Sequence, residues 1–387
     1  MIYKKYRFSE KKEGKGSEKI DLEIIAGEKG TMNGNSLRIS SMIYYFFPRS
    51  YIPFSKNSFD LSSLGSHISP SLDHSLQELR LQIDTQCLHL WNKYASYFYN
   101  PYLWIYTPNH ENKTISKLSL VYAGEDQLET NYSNSLYFYE MIEIYHLMNL
   151  NWTLMKNIRT LHLGKNGFMV AQAVSFLRGH NAVDSIKVFL SPSTKLYEDT
   201  LKHHFISVDT TEMSTTQEIT KESILDICVS LCVQKQGGTL MIKIGNTFSS
   251  LMIDVLYFVT HFYEKTYFIK PIITDVTKSD KFLICKGFLF ETNPEFDSIH
   301  ILFQKLLDYS SSTPLSRILN LEIPLFYVSK LEEINSIFGQ PQLEHIQVIL
   351  NRIQTNHFKP PDLKQIPRMD IQKCIEWCSK YHVPFLS

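Results

Sequence analysis

Apolar residues recur in short runs that alternate with helical patterns through the middle of the chain. The runs predict strands at 158–163, 186–190, 204–209, 239–244, 268–273 and 281–288. Apolar positions that repeat every three or four residues predict helices between them, at 168–177, 218–234 and 249–263. Such alternation is typical of a doubly wound, largely parallel α/β sheet. The last two strands are close enough in sequence to pair as an antiparallel edge.

The regions on either side of this core have weaker patterns. The sequence predicts a flexible basic tail at residues 1–20 and an N-terminal extension of mixed structure at 21–133. A helix is predicted over 73–98 of that extension, with Asp73 as its N-cap. Residues 134–294 form the predicted core domain, which begins with a mostly buried helix. Residues 295–387 are predicted to form a helical C-terminal extension, with helices at 331–338, 343–353 and 370–380. We expect both extensions to pack on the core, because the apolar stripe of the helix at 73–98 must be covered.

Composition and charge exclude several classes of protein. Hydrophobic residues make up 43% of the chain and charged residues 20%, which is the balance of a soluble globular protein. No apolar run reaches the roughly 18 residues that a membrane span needs. The 39 basic and 39 acidic residues cancel, so any RNA contact must come from local patches. The charged N-terminal segment is unlike a secretory signal, and we expect an intracellular, cytoplasmic protein with no membrane partner.

The six cysteines do not have the spacing of a metal site. None falls in a Cys-x-x-Cys pair, and no histidines cluster beside them. A structural zinc site would need two such pairs at the right spacing. We therefore predict buried free thiols in a reducing compartment and no metal.

A turn that contains two glycines, Gly164 to Gly167, links the strand at 158–163 to the next helix. Glycine lets the backbone approach a nucleotide-like ligand closely at a helix N-terminus. Such turns also occur in α/β proteins without a ligand, so the turn alone is weak support. An NAD(P)-linked oxidoreductase is disfavoured, because no Gly-x-Gly-x-x-Gly turn with a following acid is present.

Two later segments, QGGTLMIKIGNTF and FIKPIITDVTKSDKFLICKGF, resemble the end of FtsJ-like RNA ribose 2′-O-methyltransferases. In that family a Gly-Gly turn leads into the strand of the catalytic lysine. A Lys-Pro strand and a Ser-acid-x-aromatic strand then close the sheet. The upstream helix SLYFYEMIE is similar to the family's SRAxxKLxE helix, especially in the cap-specific enzymes of eukaryotes and large DNA viruses. The resemblance covers roughly 134–290 and implies a Rossmann-like, S-adenosylmethionine-dependent methyltransferase fold.

The resemblance also implies four catalytic positions. Family members use a Lys-Asp-Lys-Glu tetrad, whose second lysine assists loss of the 2′-hydroxyl proton during attack on the methyl group. The second lysine corresponds to Lys243, the middle acid to Asp209 and the last acid to Asp280. The first lysine falls on Glu140, a reversal of charge. The set then carries a net negative charge, which favours protonated Lys243 and repels RNA phosphate.

The cofactor turn departs from the family pattern as well. The family has Asp-Leu-x-x-x-Pro-Gly-Gly-Phe where this chain has TLHLGKNGF, so Thr160 replaces the acid and Lys165 the proline. The residues that the resemblance assigns to S-adenosylmethionine are Gly164, Asn166, Gly167 and Phe168. The two substitutions, with asparagine in place of the first glycine, predict weak cofactor binding.

Two functions follow from the resemblance. The first is a methyltransferase-fold protein with a degenerate active site that binds RNA or partner proteins in a capping or transcription assembly. The second is an active S-adenosylmethionine-dependent methyltransferase for capped mRNA, in which another lysine replaces the missing one. In a viral member of the family, such a protein would be expected at the cytoplasmic replication site or in the virion.

Overall fold

The chain is described here by a computed structural model. It describes residues 43–50, 54–62, 65–92, 100–107, 115–116, 136–150, 152, 155–181, 183–190, 201–211, 219–290, 295–310, 314–355 and 368–385. The predicted basic tail lies outside these residues, and so does most of the stretch between 108 and 135.

The described residues form nine strands and eight α-helices. The strands are β1 (Ile43–Phe47), β2 (Phe59–Ser62), β3 (Arg159–Leu163), β4 (Ser185–Phe189), β5 (His203–Asp209), β6 (Gln234–Ile244), β7 (Tyr263–Lys270), β8 (Lys281–Phe288) and β9 (Arg317–Leu319). The helices are α1 (Pro70–Gln82), α2 (Leu136–Leu147), α3 (Gly167–Leu177), α4 (Lys221–Val233), α5 (Ser250–Thr260), α6 (Glu295–Asp308), α7 (Leu325–Gln354) and α8 (Arg368–Lys380). Helix α1 continues into a π-helical turn (Ile83–Cys87), and short 3₁₀ helices span Lys56–Ser58 and Leu103–Ile105.

Seven strands form one mixed sheet in the order β1-β7-β8-β6-β5-β3-β4. Strands β4, β3, β5 and β6 are parallel, whereas β8 runs antiparallel to both β6 and β7. The carboxyl ends of β3, β5, β6 and β7 therefore share one edge of the sheet, where β8 begins. This arrangement confirms the predicted doubly wound, Rossmann-like fold. A further strand, β1, extends the sheet beyond the predicted hairpin by pairing antiparallel with β7.

Each face of the sheet is covered by its own hydrophobic cluster. Helices α4 and α5 pack on one face against alternate strand residues such as Ile206 and Ile242. Helices α2, α3 and α8 cover the other face, where Phe205 and Met241 contact them. Because strand side chains alternate between faces, Asp209 projects to the same side as Phe205, the side that α2 covers.

Three sequence predictions are corrected by the structure. Asp73 does not cap α1, because Ser69 is the N-cap residue and Asp73 lies in the first turn. The Oδ2 atom of Asp73 lies 3.0 Å from His67 Nδ1. Strand β6 starts at Gln234 and passes through Gly237 and Gly238, whereas the sequence predicted a glycine break there and a strand that starts only at 239. The two helices predicted around Pro341 are a single helix, α7.

The flanking regions contact the core at several points. Helix α1 packs on α7, and Trp377 of α8 donates a hydrogen bond to Glu143 of α2 at 3.0 Å. The domain boundaries drawn from the sequence stay predictions. All six cysteines lie in described regions; they are buried and form no disulfide. Among the helices of the described residues, none combines the length and apolar character of a membrane span.

Candidate active site at the carboxyl edge of the sheet

The lysine and the middle acid named from the sequence lie side by side at the carboxyl edge. Asp209 is the last residue of β5 and pairs in register with Lys243, the penultimate residue of β6. Both are nearly buried, with exposed fractions of 3% and 7%. Their side chains project to the face of the sheet that α2 covers, and Glu140 of α2 lies next to them on that face.

Lys243 is held among acidic and aromatic groups. Its Nζ donates to Glu140 Oε2 at 3.3 Å and lies 3.7 Å from Asp280 Oδ2. The ammonium group also stands over the ring of Tyr137, 4.4 Å from its centroid, and 5.6 Å from that of Phe282. The structure therefore brings Glu140, Lys243 and Asp280 into direct contact. We call these three residues, together with Asp209, the Lys243 cluster.

Charge around Lys243 decides its protonation. Burial by itself lowers the pKa of Lys243, but the negative charges of Glu140, Asp280 and Asp209 outweigh it and raise the pKa above its ordinary value of 10.5. Lys243 is therefore an ammonium ion throughout the physiological pH range. In that state it donates hydrogen bonds and cannot accept a proton.

Asp209 is occupied by the turn that follows β3. Its Oδ2 accepts a hydrogen bond from Asn166 Nδ2 at 2.5 Å, and its Oδ1 accepts two from the backbone and hydroxyl of Thr211, at 3.0 and 2.6 Å. Asp209 thus fastens the turn to β5 and influences Lys243 through space, without an ion pair among the described residues.

The glycines of the turn are required by close packing. Gly164 has φ +93°, and a Cβ there would lie 2.9 Å from the carbonyl oxygen of Asp209. A Cβ on Gly167 would lie 3.2 Å from His162, where α3 passes over β3. Asn166 is the N-cap of α3, and Phe168 lies in its first turn with 39% of its surface exposed. All four residues assigned to the cofactor are therefore at the carboxyl edge.

The charged groups at this turn do not fit S-adenosylmethionine. Its ammonium and ribose hydroxyls call for carboxylates, yet Asp209 already accepts three hydrogen bonds from Asn166 and Thr211, which leaves about one acceptor site on its Oδ2. Thr160, the position that the resemblance assigned to the cofactor acid, pairs with Phe205 and hydrogen-bonds His162 Nε2 at 3.0 Å. It lies four residues, or about 13 Å, before the turn and is out of reach of a ligand bound there. Leu190, 72% exposed, directly follows β4 where dinucleotide-binding folds have an acid.

Sequence reasoning missed two residues of the Lys243 cluster's surroundings. Tyr137 precedes Glu140 by three positions on α2, so helical spacing puts both on one face and could have identified it. Thr274 donates its hydroxyl to Glu140 Oε1 at 2.8 Å. It comes from the loop after β7, and no sequence signal points to it.

Similarity to known proteins is limited to part of the chain. No protein-family model matches the sequence. A cap-specific mRNA (nucleoside-2′-O-)-methyltransferase 1 from Trypanosoma cruzi is 24% identical over 128 residues, which is 32% of this chain. The match spans about a third of that relative, 35% of its length.

Similarity to solved structures is weak. One is described as a "probable spermidine synthase" from Corynebacterium glutamicum and is 13% identical in sequence, with a TM-score of 0.28. The alignment covers 50% of this chain and 77% of that chain. Another is an O-methyltransferase family protein from Burkholderia thailandensis, with 10% identity, coverage of 57% and 73%, and a TM-score of 0.23.

Proposed function

We propose that this chain is a methyltransferase-fold protein of mRNA capping or transcription that binds RNA or partner proteins and has little or no methyl-transfer activity of its own. One observation carries the proposal: Lys243 Nζ lies between Glu140 at 3.3 Å and Asp280 at 3.7 Å. A lysine in that position is fixed as an ammonium ion.

Methyl transfer to a ribose hydroxyl needs the hydroxyl proton to leave as oxygen attacks the methyl carbon. A general base must therefore be able to take up a proton near neutral pH. With its pKa raised by three neighbouring carboxylates, Lys243 has no lone pair to offer. In this chain the lysine instead ties α2 to the end of β6.

The mRNA-capping part of the proposal has separate support. The FtsJ-like segments around Lys243 are the part of the sequence with family resemblance, and the Trypanosoma cruzi relative is named as cap-specific. We therefore propose that this chain binds capped mRNA and protein partners of a capping assembly, and that it binds S-adenosylmethionine weakly. The occupied Asp209 and the exposed Leu190 support the weak binding.

The decisive experiment measures the full-length protein with radiolabelled S-adenosylmethionine and short capped RNA, beside an active cap 2′-O-methyltransferase. We expect RNA binding without methyl transfer above background, and no saturable cofactor binding in the micromolar range. Transfer that is abolished by Lys243→Ala but kept in Lys265→Ala would overturn the proposal. Lys265 is the matched control because it is exposed near the other end of the sheet, on β7, which is separated from β6 by β8.

A second candidate, an active divergent methyltransferase, has one observation in its favour. Burial lowers the pKa of Lys281 to about 7 and that of Lys270 to about 8, and both lysines are within electrostatic reach of Asp280. Either could accept a proton at physiological pH. Activity that survives Lys243→Ala but is lost in Lys281→Met or Lys270→Met would identify this alternative.

A further inference from the structure

A small polar cavity lies beside the Lys243 cluster, between the strand ends and α7. Its volume is about 10 Å³, which is room for one water molecule or one oxygen atom of a larger ligand. Its polar lining comes from Asn246, Lys270, Ser279, Lys281, Asn335 and Gln342. We call it the lysine cavity.

Among the described residues, the side-chain nitrogens of the two cavity lysines hydrogen-bond only to backbone carbonyls. Lys281 Nζ donates to the carbonyl oxygens of Gly245 at 2.6 Å and Ser279 at 3.4 Å. Lys270 Nζ donates to the carbonyl oxygen of Lys278 at 2.5 Å. Within the part of the chain that the structure describes, neither forms an ion pair.

When both lysines are protonated, their positive charge has no ion-pair partner among the described residues. Burial lowers the pKa of Lys281 to about 7 and that of Lys270 to about 8, and an anion bound beside them would favour the protonated forms. Lys281 is 4% exposed and Lys270 is half-buried, so neither ammonium is fully hydrated. Each ammonium has three donor hydrogens, more than the carbonyls accept. Buried cations in proteins are normally paired with an anion, because an unpaired one is costly to desolvate. The repulsion between Lys270 and Lys281 adds to that cost.

We propose that the lysine cavity is an oxyanion site for one phosphate group, which would sit at the cavity mouth with one oxygen between Lys270 and Lys281. A phosphate oxygen accepts hydrogen bonds from both ammonium groups at once. The size of the cavity suits a single oxygen and excludes a base or sugar. The carboxylates of Asp280, Asp275 and Glu140 lie near Lys270 and limit the affinity.

The phosphate group has two sources, inorganic phosphate or the phosphate of a nucleic acid. The site stands on Lys270 and Lys281 alone, so it does not depend on the function proposed above. A nucleic-acid source would position a nucleotide next to the Lys243 cluster, since Asp280 belongs to that cluster and Lys281 follows it directly in sequence.

The test is calorimetric titration of the full-length protein with inorganic phosphate, at constant ionic strength maintained with chloride. We expect saturable binding that weakens at least tenfold in Lys281→Met and is unchanged in Lys265→Met. Lys270→Met, at a half-buried position, serves as a second variant if Lys281→Met does not fold. No saturable binding by the unmodified protein, or equal binding by the folded Lys281 or Lys270 variants, would overturn the proposal.

A second arm separates the two sources of phosphate. A short fluorescent oligoribonucleotide is bound to the protein, and inorganic phosphate is added as competitor. Release from the unmodified protein but not from Lys270→Met supports a nucleic-acid phosphate in the cavity. Phosphate binding without any release of RNA supports inorganic phosphate or a small phosphate ester. Methyl-transfer activity is not measured, so failure here is distinct from failure of the proposed function.

Discussion

The Lys243 cluster and the lysine cavity are adjacent at the same sheet edge, yet the pKa values of their buried lysines are shifted in opposite directions. Lys243 has two carboxylates within 3.7 Å, and their charges raise its pKa. In the described part of the chain Lys281 hydrogen-bonds only to carbonyl oxygens, and burial lowers its pKa to about 7. The chemistry of a lysine at a strand end is therefore set by its charged neighbours and cannot be read from its position in the fold.

Charge balance links the two regions. The Lys243 cluster contains three carboxylates and one ammonium, so its formal charge is negative. Lys270 and Lys281, when both are protonated, place two positive charges beside it. The sequence alone suggested that the negative set would repel RNA phosphate. The structure adds a neighbouring region that would attract it.

The largest expected effect is on folding stability in Lys243→Met. Removing the only cation of the cluster leaves Glu140 and Asp280 facing each other while Glu140 is fully buried. We expect the free energy of unfolding to fall by about 3–5 kcal/mol. Urea denaturation followed by circular dichroism measures it, with Lys265→Met as the control. A loss below about 1 kcal/mol would mean that the cluster is solvated.

The second prediction concerns pH and separates Lys281 from Lys243. The folded pKa of Lys281 is about 7 against an ordinary value of 10.5, so the unfolded chain binds more protons between these values. Stability contributed by Lys281 should therefore rise with pH from about 7 to 10.5, by at most about 1.4 kcal/mol per unit. Lys243 has a raised pKa, so its contribution is complete below 10.5 and constant across this window.

The measurement is the difference in unfolding free energy between the unmodified protein and Lys281→Met at several pH values. Subtracting the two curves removes the titration of tyrosines and cysteines that both proteins share. The difference should have a positive slope between pH 7 and 10.5. A flat difference would show that Lys281 is hydrated and would weaken the contrast with Lys243.

Glu140→Gln should have a smaller effect. The amide keeps an acceptor for Thr274 but removes one carboxylate from Lys243, which retains Asp280. We expect stability to fall by about 1.5–3 kcal/mol, the range for a hydrogen bond to a charged group. The pKa of Lys243, followed by NMR of its ε-carbon, should also decrease. An unchanged pKa would mean that Asp280 and Asp209 dominate the electrostatics.

Much of the fold could be predicted because apolar runs define buried parallel strands directly. The bounds of β8 match the predicted 281–288, and the strands β3 and β5 agree within one residue. Strand β1 was not predicted, because its partner β7 lies more than 200 residues away and its aromatic run has no alternating pattern. The sequence predicted two helices on either side of Pro341, because proline usually interrupts a helix. In the structure they form one helix, α7, which packs along its length.

The site could be predicted only in part for a similar reason. Lys243, Asp209 and Asp280 are at strand ends, where the resemblance and the topology agree. The contact between Glu140 and Lys243 depends on how α2 crosses the sheet, which sequence periodicity does not determine. The lysine cavity needs α7 to close it, so no local motif indicates it.

The smallest expected effect tests how firmly Glu140 is held. Thr274→Val keeps the shape of the side chain but removes the hydroxyl that donates to Glu140 Oε1 at 2.8 Å. Glu140 then keeps Lys243 as its partner, so we expect a loss of about 1 kcal/mol and a cluster that stays assembled. Thr277→Val is the control in the same loop, because its hydroxyl bonds Asp275 and not the cluster. If Thr274→Val destabilised the protein as much as Lys243→Met, the hydroxyl of Thr274 would be the main partner that holds Glu140 in place. The ion pair between Lys243 and Glu140 would then not be the main interaction of this site.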